Sequence, residues 1–252
     1  MDILQKYVFA TFTSTAMFFI CSMCLACAKK DNASMLSTSD TTSLVAPVNP
    51  IPTSSFTMLA LGDSYTIGQS VSESQRFPNQ TIGLLNAQQK NVAYPSTIIA
   101  TTGWTTTNLI NGIKNANLSN TYDVVTLLIG VNNQYQELDT SVYKTEFPQL
   151  LATAIQFSKA GKSHVFVLSI PDYSVTPFGG GRQSIATEIA HYNDMCKTMT
   201  EQMGVTFVDI TPIRQQAATD QTLTASDGLH PSGKQYALWA QLLAPKVLSV
   251  LK

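Results

Sequence analysis

Apolar positions in this chain fall into two patterns that alternate along it. Phe56 to Leu61, Val124 to Ile129 and His164 to Ile170 are short, nearly continuous apolar runs, which predict strands covered on both faces, as in a parallel sheet. Asn91 to Ala100 and Val205 to Val208 complete a set of five. Between the runs, Phe77 to Gln89 (entered at Pro78), a stretch from Trp104 to about Lys114, Thr140 to Ala160 and Ser184 to Met203 are read as helices. A last helix is expected to begin near Pro231, a residue favoured at the first helical position, and to run to about Leu251.

Strands alternating with helices predict an α/β fold, a three-layer α/β/α sandwich around a central, mostly parallel five-stranded sheet. In such sheets ligands bind beyond the carboxyl ends of the strands, where strand order reverses. The runs give way there to small and polar residues: Gly62-Asp63-Ser64 after the first, Thr101 to Trp104 after the second and Gly130 to Asn133 after the third. With a flavodoxin-like order of 2-1-3-4-5, Ser64 and Asn132 flank the switch point.

The first 55 residues follow neither pattern. Residues 1–28 read as an export signal, with Lys6, an apolar segment from Val8 to Ala26 and then small residues before Lys29-Lys30-Asp31. Leu25-Ala26-Cys27 resembles a bacterial lipobox, in which Cys27 would be the lipidated residue and the membrane tether, although Cys24 sits where Leu is usual. Ala26-Cys27-Ala28 also reads as an ordinary cleavage site, and the apolar segment is nearly long enough to be kept as an anchor. Residues 29–55 are rich in Ser and Thr, with Pro47, Pro50 and Pro52. They read as a flexible tether that would reach about 28 Å as a random coil. Residues 56–252 are then one folded domain in an exported, cell-envelope protein.

Composition narrows the function. The 252 residues are 44% hydrophobic, enough for one large core. A net charge of −1 with 12% charged residues leaves no basic field for nucleic acid. Cys21, Cys24 and Cys27 crowd the N-terminus while Cys196 stands alone. That spacing suits neither a disulfide framework nor a structural zinc site, and Cys196 is expected to be a buried helical thiol. No P-loop, H-E-x-x-H or calcium loop occurs, so no cofactor is implied.

Ser64 at a strand end needs a base to act as a nucleophile, and Asp227-Gly228-Leu229-His230 offers a carboxylate and an imidazole. Singly, each of these residues is an ordinary cap or turn residue. Together with Gly103 and the Gly130-x-Asn132 stretch they make four blocks in order, and here the chain resembles the SGNH, or GDSL-type, hydrolases. The resemblance implies Ser64 as nucleophile, His230 as base, Asp227 as its orienting carboxylate, and an oxyanion hole from the N–H groups of Ser64 and Gly103 with the Asn132 amide. The family's third block usually reads G-x-N-D, whereas this chain has Asn133 in the Asp place. An α/β-hydrolase elbow, G-x-S-x-G, is absent. Asp63, His164 and His191 are read as structural, and Trp104, Tyr65 and Tyr135 as edging the pocket.

The expected activity is serine esterase or acyl hydrolase on small-molecule or glycan esters, with a carbohydrate acetylesterase favoured by the low charge and the aromatic, amide-rich loops. Lipase- or lysophospholipase-like and small-ester hydrolysis are alternatives, as is a non-catalytic glycan-binding surface lipoprotein. The long loop from Pro171 to Arg182, with Tyr173, Phe178 and three consecutive glycines, is expected to form part of the substrate wall and to have freedom to move.

Overall fold

The computed structural model describes residues 55–252. The export segment 1–28, Cys27 and all but the last residue of the tether 29–55 lie outside the described residues. The chain runs β1 (Met58–Gly62), α1 (Ser64–Ile67), α2 (Phe77–Ala87), β2 (Thr97–Ala100), α3 (Thr106–Ala116), β3 (Val124–Leu128), α4 (Val131–Tyr135), α5 (Thr140–Phe157), β4 (Val165–Leu168), α6 (Gln183–Gln202), β5 (Thr206–Val208), α7 (Thr211–Gln215) and α8 (Gly233–Val250).

All five strands are parallel, in the order β2-β1-β3-β4-β5, as the alternation predicts. Every residue of β1, β3 and β4 is buried, which is why their sequences carry no polar alternation. Crossovers between parallel strands are right-handed as a rule, which with this reversal of strand order puts helices on both faces. On one side α2 packs against α8, and on the other α3, α5 and α6 pack in succession. Phe77 of α2 meets the rings of Trp239 and Tyr236 of α8 at 6.1 and 6.3 Å. Across the sheet, Tyr143 packs on Phe147 and Tyr192 at 5.1 and 5.0 Å. Cys196 of α6 is buried in this second layer, and burial pushes its thiol up to about 12.

The carboxyl ends of β1, β2 and β3 are level, with Gly62 beside both Ala100 and Leu128. A side chain on Gly62 would overlap Thr66 Oγ1 and the Leu128 carbonyl. Only glycine therefore lets the chain turn from β1 into α1 against β3.

Two expected elements differ. The second strand is limited to Thr97–Ala100, because Asn91 takes φ +49° and Pro95 has no N–H to give a ladder; Val92 makes only an isolated bridge to Phe56. The last helix starts at Gly233. Ser232 caps it by accepting the Gln235 N–H, and Pro231 instead lies in a bridge with Thr224.

Candidate active site

Asp63 caps the short helix α1, its Oδ1 accepting the Tyr65 N–H at 3.0 Å. Burial, with its other oxygen unpartnered, raises Asp63 to about 7. Ser64 is thereby fixed as the first residue of the helix, at the carboxyl end of strand β1, and is 4% exposed.

The loop between α7 and α8 supplies the partners. Asp227 Oδ1 accepts the N–H groups of Leu229 and His230, both at 2.9 Å, so the carboxylate folds its own loop into a tight turn. Pro231 keeps His230 out of helical geometry. The imidazole reaches Ser64 Oγ through Nε2 at 3.0 Å and Asp227 Oδ2 through Nδ1 at 2.7 Å. The Tyr65 ring lies 5.1 Å from it, tilted.

Burial opposes ionisation of Asp227. The hydrogen bonds from the Ser70 hydroxyl (2.6 Å), the two loop N–H groups and the His230 ring outweigh it and hold this carboxyl well below the usual range. Asp227 is therefore an acceptor only, which places the imidazole proton on Nδ1 and leaves Nε2 free to accept from Ser64. Burial lowers the pKa of His230, against the raising influence of Asp227 and with help from the Arg214 guanidinium.

Donors surround the other side of Ser64. Its own N–H, at a helix start, has no intrahelical partner. Gly103 sits at φ +83°, a conformation that favours glycine, and its N–H has no partner among the described residues. Asn132 Nδ2 donates one hydrogen to the Trp104 carbonyl at 2.9 Å and retains a second. Gln136 Nε2 holds the Gly103 carbonyl at 3.1 Å. Asn133, completely buried, bonds Thr106 through both ends of its amide.

These groups open on a cavity of about 280 Å³ that Ser64, Gly103, Asn132 and His230 all line. Tyr135, Tyr173 and Phe178 form one wall, their centroids 6.0 to 6.3 Å apart. Tyr135 and Phe178 are 54% and 44% exposed. The loop that carries Phe178 is tied internally by Thr176 and Arg182, and the Phe178 N–H donates to the Gly228 carbonyl at 3.0 Å. The wall is thus fastened to the loop that carries His230.

Tyr65 and Tyr135 edge the cavity as expected, but the Trp104 ring packs over Gly112 of α3 and only its carbonyl serves the site. His164 bonds the Asp123 carbonyl at 2.8 Å, apart from the cavity. Two residues had no sequence signal. Ser70 sits in a loop at φ +66°. Arg214 is completely buried behind the turn, donating to the Leu229 carbonyl and, at 2.7 Å, to Gln235.

Known proteins agree with this architecture. The sequence pattern of the GDSL-like lipase/acylhydrolase family matches residues 60–238. By overall sequence, no curated protein matches. Similar solved structures include an acetylxylan esterase from Geobacillus stearothermophilus (18% identity, 78% of this chain and 94% of that one, TM-score 0.56). A lipolytic G-D-S-L family protein from Veillonella parvula is also similar (19%, 77% and 96%, 0.54), as is a psychrotrophic esterase from Pseudoalteromonas (13%, 77% and 97%, 0.58). At these identities the likeness is one of fold. The family match spans both the serine turn and the histidine loop, and the chain accordingly belongs to the GDSL-like lipase/acylhydrolase family and is a hydrolase of ester bonds.

Proposed function

We propose that the protein cleaves carboxylic esters through Ser64, His230 and Asp227, with the N–H groups of Ser64 and Gly103 and the Asn132 amide as oxyanion donors. The observation that carries this reading is the unbroken contact from Ser64 Oγ through the His230 ring to Asp227, at 3.0 and 2.7 Å, on the floor of a cavity. Ser64 Oγ attacks the ester carbonyl carbon while its proton passes to His230 Nε2. The carbonyl oxygen takes the negative charge and meets the three donors, and the imidazolium is balanced by Asp227. Collapse breaks the bond to the alcohol, which leaves with the proton from Nε2. Water then attacks acyl-Ser64, gives its proton to the same nitrogen, and the acid departs as Ser64 is restored.

The substrate reading is a short acyl ester on a sugar. About 280 Å³ falls just below the roughly 300–1,000 Å³ of ligand pockets, which suits an acetyl group and one ring better than a long acyl chain. Tyr135 and Phe178 offer exposed aromatic faces on which the C–H face of a sugar ring can lie. The fold is shared with an acetylxylan esterase.

Ser64→Ala should abolish hydrolysis across a panel of p-nitrophenyl acyl esters and acetylated oligosaccharides without loss of fold. A Ser64→Ala protein as active as the parent, or a parent that cleaves nothing in the panel, overturns the reading. We take residues 1–28 to carry an export signal whose cleavage leaves Cys27 as the lipidated first residue. Cys27→Ser should then end fatty-acid labelling and free the protein from membranes, and unchanged attachment counts against it.

A further inference from the structure

The oxyanion donors Gly103 and Asn132 come from the loops after β2 and β3, which are not neighbours in the sheet because β1 lies between them. No strand pairing therefore holds those two loops together. Amide side chains of α4 and its C-cap do: Asn132 to the Trp104 carbonyl, the C-cap Gln136 to the Gly103 carbonyl and Asn133 to Thr106. Of the three, Asn133 is completely buried and Gln136 is exposed.

The direction of the Asn133 bonds is fixed by valence. The Thr106 N–H donates to Asn133 Oδ1 at 3.0 Å. Since an N–H can only donate, the amide oxygen must face it, which turns Nδ2 to the Thr106 hydroxyl at 2.8 Å. Nδ2 also can only donate, so Thr106 Oγ1 accepts there. Its one proton goes to Glu146 Oε2 of α5, at 2.5 Å. Thr107 Oγ1 donates to the same carboxylate at 2.8 and 2.9 Å. Aspartate at position 133 would set two acceptor-only groups against a hydroxyl with one proton, leaving a carboxylate oxygen without a donor in a buried place.

We propose that Asn133, Thr106 and Glu146 form a one-way hydrogen-bond relay that sets the spacing of Gly103 and Asn132, and that position 133 is an amide in this chain because Glu146 claims the Thr106 proton. The proposal rests on Gly103 and Asn132 being oxyanion donors. The three are positioning residues, since none of them lines the cavity.

Two single variants and their combination test it with p-nitrophenyl acetate. Asn133→Asp should lower kcat by roughly 10- to 100-fold with KM within about threefold, as expected when donors are misplaced in the transition state. Glu146→Gln should stay within about threefold of the parent, the oxygen of its new amide accepting the Thr106 proton. When Asn133→Asp and Glu146→Gln are combined, the amide introduced on α5 donates to Thr106 Oγ1 and the hydroxyl proton turns to the carboxylate introduced on α4. The relay then runs in reverse, and kcat should return to within about threefold of the parent. A parental kcat for Asn133→Asp, or a double variant no better than Asn133→Asp, overturns the relay. Should Asn133→Asp not fold, Thr106→Ser against Thr106→Val reads the same hydroxyl without added charge, and equal kcat for that pair overturns it. Ser64→Ala run alongside separates the two claims. An active Ser64→Ala removes the parent reading, whereas an inert one beside a fully active Asn133→Asp removes the relay alone.

Discussion

Replacing Asp227 with Asn is the sharpest perturbation of the proposed mechanism, because the surrounding donors dictate how the new amide must sit. Oδ1 accepts two backbone N–H groups at 2.9 Å. An NH2 group there would face two donors and forfeit two hydrogen bonds of about 1 kcal/mol each. The Asn oxygen therefore takes the Oδ1 place, and its nitrogen falls 2.7 Å from His230 Nδ1. An amide nitrogen only donates, so Nδ1 must accept and the ring proton moves to Nε2. That proton then points at Ser64 Oγ, 3.0 Å away, and the nucleophile has nothing to accept its own. The same tautomer error in the serine protease template costs about 10⁴ in kcat. Because 28% of the Asp227 side chain is exposed, water competes for the amide, and the loss should be about 10³ to 10⁴, or roughly 4 to 5.5 kcal/mol of barrier. The Ser70 hydroxyl can rotate to accept from the amide, and both loop bonds survive, so the melting temperature should move by only a few degrees. Turnover of p-nitrophenyl acetate at pH 8 with a parallel melt reads both quantities. A folded Asp227→Asn enzyme within tenfold of the parent would refute the reasoning.

Three further outcomes follow from the geometry. The base must be neutral to act, and burial sets His230 below its ordinary 6.5; the acid limb of kcat/KM should therefore be centred below pH 6.5, and a limb centred above 6.5 contradicts this. Asn132→Ala deletes one donor that meets the charged oxygen chiefly after attack. It should lower kcat about 10² to 10³-fold with little change in KM, and a change confined to KM would remove Asn132 from the oxyanion hole. Tyr135→Ala and Phe178→Ala should raise KM for acetylated oligosaccharides and leave p-nitrophenyl acetate nearly untouched; equal losses on both substrates argue against a sugar-binding wall.

The strands were legible where both faces are covered, because Leu59 to Leu61 and Val124 to Leu128 have no polar side to interrupt the run. For the second strand Pro95 is a local warning against a run from Asn91, but nothing local announces that Asn91 takes a positive φ. A general preference puts the last helix near Pro231, and the Ser232 hydroxyl, with the Gln235 N–H within reach, sets the start at Gly233. At the site, Ser64, Gly103, Asn132, Asp227 and His230 stood out because each belongs to a short motif after a strand or in the last loop. Ser70 and Arg214 did not, since their value lies in partners 157 and 15 residues away that only the folded chain brings near. Trp104, which as an aromatic could edge the pocket or join the core, has its ring in a niche over the helical Gly112, and a glycine inside a helix looks like a weakness in sequence, not a seat.

The serine and the imidazole that touches it are 166 residues apart, at opposite ends of the described domain. At about 5 to 20 residues per second of synthesis, roughly 8 to 33 s pass between the emergence of Ser64 and that of His230. Under the proposed mechanism the chain holds during that interval a hydroxyl with no base, and it cannot attack an ester whatever surrounds it. On that mechanism hydrolysis begins only when the loop before α8 closes over β1, so the first burst of released product would time the completion of the fold, and an ester that fluoresces on cleavage would be a clock for its last long-range contact.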